Sequence, residues 1–123
     1  MVRLTIRIDF SPTSSVGPGK IRLLELIAET GSISAAGRAM GMSYRRAWLL
    51  VDELNRLFKH KVATTTLGGK AGGGAALTPF GTSLVAEYRA VEREAHGIFA
   101  KRLSALVAAS VKPRRRPRRR TER

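Results

Sequence analysis

The stretch Gly31-Ser32-Ile33-Ser34-Ala35-Ala36-Gly37-Arg38-Ala39-Met40-Gly41-Met42-Ser43-Tyr44-Arg45-Arg46-Ala47-Trp48-Leu49-Leu50 decides the fold. It holds two short helical patterns with very little between them. A serine hydroxyl just ahead of a helix accepts one of its free amide protons. Ser32 or Ser34 can therefore cap a helix running to about Met40, and Ser43 a second running to about Lys59. In the second pattern Ala47, Leu50, Val51, Leu54 and Phe58 fall at i, i+3, i+4, i+7 and i+11, which is one helical face. Gly41 stands at the turn, where a left-handed backbone is cheap only for glycine. Gly37 is small enough to let the second helix cross closely, and Met40 and Met42 can fill the space beside the turn. Two helices joined this tightly are a common device for setting a helix into the major groove of DNA.

The outward positions at the start of the second helix are Ser43, Tyr44, Arg45 and Arg46, with Trp48 and Leu49 farther along. Arginine can pair with a guanine edge, and serine and tyrosine can hold phosphate oxygens. The helix N-terminus favours a phosphate as well. The plain alternative is a helical hairpin in a small α-domain with arginines on its surface. Trp48 stays open between core packing and contact with a base or sugar.

Residues 2–10 alternate, with Val2, Leu4, Ile6, Ile8 and Phe10 on one side, which predicts one half-buried strand. Ser11 to Gly19 reads as a loop, and Pro18 suits a first helical turn. Ile21, Leu24, Ile27 and Ala28 then form a helical stripe that Gly31 stops. On the other side of the central stretch, Val62 to Thr66 is β-branched and strand-like, and Ala75 to Leu77 can pair back with it. Between them lies a loop, Gly68 to Gly74, with five glycines in seven residues. Thr78-Pro79 opens a final helix marked by Leu84, Tyr88, Val91, Ala95, Ile98 and Leu106. Unbroken to about Ser110 it extends ~48 Å, more than so small a core can cover. Gly97 is a candidate kink. Pro113 and Pro117 among arginines predict a non-helical, disordered tail.

The expected architecture is mainly α with a small β-hairpin: a domain over 1–111 and a basic tail over 112–123. At 123 residues this is one domain, and 43% apolar residues are enough for a core. The absence of cysteine removes disulfides and thiolate metal sites. No apolar run nears the roughly 18–20 residues a bilayer requires, and no signal-peptide pattern opens the chain, so a cytoplasmic protein without a membrane partner is expected. The net charge is +14, of which +7 lies in residues 112–123 and +7 in residues 1–111. A fold that is basic without its tail points to a polyanion.

Gly31-Ser32-Ile33-Ser34, Ser43-Tyr44, Ala47-Trp48, Val51–Asn55, the Gly68–Gly74 loop and Leu77-Thr78-Pro79-Phe80-Gly81 occur in this order. Over roughly residues 18–95 this resembles the N-terminal DNA-binding domain of ModE-type molybdate-dependent regulators, and more distantly the LysR-type domain. The resemblance implies a winged helix-turn-helix, a homodimer with a long C-terminal dimerisation helix, and a palindromic operator. It makes Ser43 onward the recognition helix and Lys61–Leu77 the wing. Leu67 and Ala71 depart from the family's usual threonine and glycine. Molybdate sensing is not inherited with it, because 123 residues leave no room for the oxyanion-binding domain of those regulators.

The glycine loop lacks the spacing of a phosphate-binding loop and joins two strands, so it suits a hairpin tip lying on DNA. Lys70 would reach the duplex from that tip, with Gly69 and Gly72 beside it. His60 and His96 have no second ligand at metal spacing and read as surface residues. Glu25, Glu29, Asp52, Glu53, Glu87, Glu92 and Glu94 lie in helices among basic residues, where ordinary intrahelical pairs account for them. The reading is therefore a double-stranded-DNA-binding transcriptional regulator, not an enzyme, without metal or cofactor. Its DNA-facing set is Ser43, Tyr44, Arg45, Arg46, Trp48, Gly69, Lys70 and Gly72. Two others stay open: an architectural protein with little sequence preference, and a DNA-binding subunit whose long helix docks a separate sensor.

Overall fold

A computed structural model of the chain describes residues 2–66 and 74–111. In chain order the elements are β1 (Ile8–Ser11), β2 (Ser14–Val16), α1 (Pro18–Thr30), α2 (Ile33–Ala39), α3 (Tyr44–Leu57), β3 (Ala63–Thr66), β4 (Gly74–Leu77) and α4 (Pro79–Ala109). The fold is mainly helical with two small antiparallel hairpins, β1–β2 and β3–β4.

Helix α1 is the centre. Pro18 occupies its first turn, and Gly31 ends it in a left-handed conformation, its amide bonded to the Ile27 carbonyl at 2.8 Å. Ile21, Leu23, Leu24 and Ile27 are fully enclosed, because α1 packs against α2, α3, α4, β2 and β4. Ala28, expected to face inward, is exposed, whereas Leu23 and Leu26 are buried. A helix surrounded on several sides buries more than the single stripe that periodicity outlines.

The expected pair of helices is present. Ser32 rather than Ser34 is the cap of α2, its hydroxyl accepting the Ala35 amide at 3.0 Å, and Ser43 caps α3 by accepting from Arg46 at 3.1 Å. Gly41 has φ +73°, the left-handed value its place in the turn requires. A Cβ at Gly37 would lie 3.0 Å from the Ala47 Cβ, so the helices cross at this point. Helix α3 stops at Leu57, short of Lys59, where Phe58 turns extended and meets Phe10 and Phe80 edge-on at 5.3 and 5.2 Å.

The single N-terminal strand expected over 2–10 is not what forms. Only Ile8–Ser11 is a strand, and it pairs with Ser14–Val16, inside the segment expected to be a loop. Residues ahead of β1 run along α4 instead: Tyr88 Oη donates to the Ile6 carbonyl at 2.7 Å, and His96 Nε2 lies 3.1 Å from the Leu4 carbonyl. The alternation holds only in its middle: Leu4, Ile6 and Ile8 are half-buried and Thr5 and Arg7 exposed, but Val2 and Phe10, expected on the inward side, are exposed at its two ends. Extended backbone beside a helix and beside a strand leave the same sequence pattern.

Residues Ala63–Thr66 pair with Gly74–Leu77 in simple antiparallel register, Ala63 opposite Leu77 and Thr66 opposite Gly74. The Ala75 amide bonds to the Gly31 carbonyl at 2.9 Å, which ties this hairpin to the end of α1. Helix α4 is continuous through Gly97 for 31 residues, a length of ~46 Å. Its first half closes the core through Leu84, Val85 and Tyr88, whereas Val91, Ile98, Leu103 and Leu106 farther along are exposed. No helix is long and apolar enough to cross a membrane among the described residues. The glycine-loop tip and the basic tail both lie outside the described residues.

Candidate nucleic-acid interface

Helix α3 offers its first turns to solvent because its core contacts lie on one side. Ala47, Val51 and Leu54 are buried, and Ser43, Tyr44, Arg45, Arg46, Trp48 and Leu49 are all exposed. Arg45, Leu49, Asp52 and Arg56 follow at i, i+4, i+7 and i+11, an outward stripe directly opposite the core. Arg46, one helical step of ~100° from Arg45, flanks that stripe rather than lying on it. Neither Arg45 nor Arg46 has an acidic partner among the described residues, whereas Arg56 is tied to Asp52 at 2.7 Å. The stripe is therefore purely cationic only in its N-terminal part, and a carboxylate begins at Asp52. The arrangement favours approach of a polyanion by the first two turns of α3.

Trp48 is 42% exposed and does not pack in the core. It lies on the flank of α3 that faces β3, where a cleft of about 350 Å³ opens between the two elements. It is lined by Trp48 and Asp52 on the helix, Lys61 just ahead of the strand, Thr64 and Thr65 on the strand, and Val51, Asn55 and Ala63.

The distance between helix and strand is set by Asn55, to which the sequence alone assigns no contact, and by Thr78, which the sequence marks only as the start of the last helix. Asn55 Oδ1 accepts the amides of Val62 at 2.7 Å and Ala63 at 3.2 Å, and its Nδ2 donates to the Ala63 carbonyl at 3.1 Å. On the far side Thr78 Oγ1 donates to the Lys61 carbonyl at 2.6 Å, and the Thr78 amide donates to Val62 at 3.0 Å. Thr78 Oγ1 also accepts the Gly81 amide, so one hydroxyl caps α4 and grips the strand. The available signal was a lone amide side chain next to Leu54 on the inward half of an amphipathic helix, where a polar group needs partners.

Lys70, Gly69 and Gly72 lie outside the described residues. His60 and His96 are exposed, as expected. The carboxylates pair mostly within helices, as Asp52–Arg56 and Glu92–Arg89 do. Two pairs nevertheless join different helices: Arg89 with Glu25, and Lys20 with Glu53. The Arg89 guanidinium holds the Glu25 carboxyl below the usual carboxylate range, chiefly by hydrogen bonding and against the opposing effect of burial. The two carboxylates beside it raise the Arg89 pKa in turn. Among the described residues no group of three or more acidic or imidazole side chains is placed to hold a metal ion.

Several curated proteins are similar to this chain. MopB of Rhodobacter capsulatus, described as a molybdenum-pterin-binding protein, is 51% identical over 77 residues, which is 63% of this chain and 28% of MopB. ModE of Azotobacter vinelandii, described as a molybdenum transport protein, is 38% identical over 87 residues, covering 71% of this chain and 32% of that protein. ModE of Escherichia coli K12, described as a DNA-binding transcriptional dual regulator, is 44% identical over 71 residues, 58% of this chain and 27% of its own length. The matched segment thus spans about three tenths of each of these relatives. None of the three descriptions is that of an enzyme. No family model matches the chain.

Proposed function

We propose that this chain is a sequence-specific transcriptional regulator that binds duplex DNA through a winged helix-turn-helix formed by residues 1–111. In this reading α3 is the recognition helix and the β3–β4 hairpin is the wing. The observation that carries the proposal is the N-terminal turn of α3: an exposed Ser43-Tyr44-Arg45-Arg46 face, with both arginines unpaired among the described residues, on a helix held by a glycine-spaced turn. The similarity to a regulator described as DNA-binding supports it. Tyr44, Arg45 and Arg46 then read base edges, Ser43 holds a phosphate, and Trp48 and the loop residues Gly69, Lys70 and Gly72 complete the contact. The exposed apolar half of α4 supports a homodimer, whose two-fold symmetry suits a palindromic operator. Residues 112–123 add sequence-independent attraction.

The test is a fluorescence-anisotropy titration against duplex from the protein's own upstream region and a scrambled control, at about 150 mM salt. A preference of ~10³ or more that survives removal of residues 112–123 is expected. Equal binding to both duplexes, lost with the tail, would instead leave an architectural DNA-coating protein.

A further inference from the structure

The cleft between α3 and β3 has a donor set that nothing in the fold uses. Trp48, Lys61 and Thr65 line it with hydrogen-bonding side chains that have no intramolecular partner among the described residues, while Thr64, next along the strand, turns its side chain to the opposite face. An indole offers only a donor and an ammonium only donors, so this set fits an acceptor-rich anion. The one acid in the lining, Asp52, is already bonded to Arg56 at 2.7 Å, which offsets its charge. The backbone carrying Lys61 is held from both sides, by Asn55 through Val62 and Ala63 and by the Thr78 hydroxyl. Donors on a backbone already fixed lose little freedom on binding.

We infer that this cleft seats the sugar-phosphate backbone of one DNA strand, with Lys61 paired to a phosphodiester and Thr65 and Trp48 donating to its oxygens. The inference rests on the proposed DNA-binding reading and adds to it Lys61 and Thr65, which lie off the recognition helix. The two grooves of a duplex are separated by a backbone strand. A helix in one groove and a hairpin reaching the next must therefore have that strand between them, and the cleft lies there. The contact is independent of base sequence, so it positions the protein rather than selecting a site.

A generic duplex is sufficient for the test, because no operator is required. Lys61→Ala should lower the slope of log K against log salt by about one, equally on any sequence. Lys101→Ala, which removes the same charge from the far half of α4, should leave the slope unchanged. Trp48 is the only tryptophan in the chain, so its indole N–H resonance reports on the cleft directly. That resonance should shift when duplex is added to the wild type and stay put with inorganic phosphate alone. Duplex binding with an unmoved indole resonance, or equal slope losses for Lys61→Ala and Lys101→Ala, overturns the seat and leaves DNA binding intact. A shift with inorganic phosphate alone replaces the strand with a free-anion site. Absence of wild-type binding to any duplex, even at low salt, removes both proposals.

Discussion

Asn55 and Ala63 hold each other by two hydrogen bonds, Asn55 Nδ2 to the Ala63 carbonyl at 3.1 Å and the Ala63 amide to Asn55 Oδ1 at 3.2 Å. The side-chain amide thereby does for β3 what a neighbouring strand would do, and it does so from α3. Since Oδ1 also takes the Val62 amide, Asn55→Ala leaves two backbone donors without their partner. A loss of about 1–3 kcal/mol is expected, or roughly 4–8 °C in Tm for each kcal/mol. Asn55→Asp keeps the acceptor for both amides but turns an oxygen in place of the Nδ2 donor toward the Ala63 carbonyl, so it should recover only part of the loss. Urea denaturation of both variants checks the order, and equal costs would contradict it.

Gly81 and Gly97 lie in the same helix and should respond to alanine with opposite sign. A Cβ at Gly81 would stand 2.0 Å from the Val62 carbonyl oxygen, which belongs to the clamped backbone. Gly81→Ala should therefore destabilise by about 1–3 kcal/mol or more, outweighing the usual helical gain. Nothing lies within 4 Å of a Cβ at Gly97, so Gly97→Ala should stabilise by about 0.5–1 kcal/mol. The midpoints of chemical unfolding decide both.

The Glu25–Arg89 pair joins α1 to α4 and makes stability depend on pH. Hydrogen bonding to Arg89 lowers the Glu25 pKa in the folded state. Its contribution is therefore complete above the ordinary glutamate value of about 4.3 and is lost as pH falls through the lower folded value. Arg89, raised by its partners, stays charged throughout that range. Glu25→Gln should cost on the order of 1 kcal/mol at neutral pH and show a shallower acid decline than the wild type. Parallel pH profiles would remove Glu25 from the acid response.

Arg45 stands on the outward stripe of α3, and Arg46 one step beside it. Arg45→Ala should cost about 1–3 kcal/mol on the preferred duplex and reduce discrimination at one base pair. Removal of residues 112–123 should weaken preferred and scrambled duplexes alike and flatten the salt dependence. A tail effect confined to the preferred duplex would assign the tail to readout instead.

Leu106 is 65% exposed and Ile98 58%, on the far half of α4, beside which only the N-terminal segment at Leu4 lies among the described residues. Leu106→Glu and Ile98→Glu should convert a dimer into a monomer with the fold retained, measured by sedimentation velocity and circular dichroism. A wild type that sediments as a monomer at micromolar concentration would remove the dimer from the proposed function.

Local physics was legible in the residues themselves. Ser43 caps α3, Thr78-Pro79 starts α4, Gly41 turns the chain and Gly37 permits the crossing, each by chemistry acting within a few residues. The exposed Tyr44, Arg45 and Arg46 also followed, because helical period assigns faces once Ala47, Val51 and Leu54 are known to be inward.

Other features required distant partners. Ser14–Val16 becomes a strand only because it meets β1, and residues 4–6 lie along α4 only because Tyr88 and His96 wait there from 82 and 92 residues away. Asn55 could have been a surface amide, and Glu25 an ordinary member of an intrahelical pair, until β3 and Arg89 arrive beside them. Sequence by itself determined the helices, their caps, the basic face and the charge balance, since these depend on neighbours along the chain. Tertiary structure alone decided how far β3 stands from α3, which side of Trp48 opens into a cleft and which half of α4 lies beyond the core. Those distances depend on packing between elements, for which periodicity carries no information.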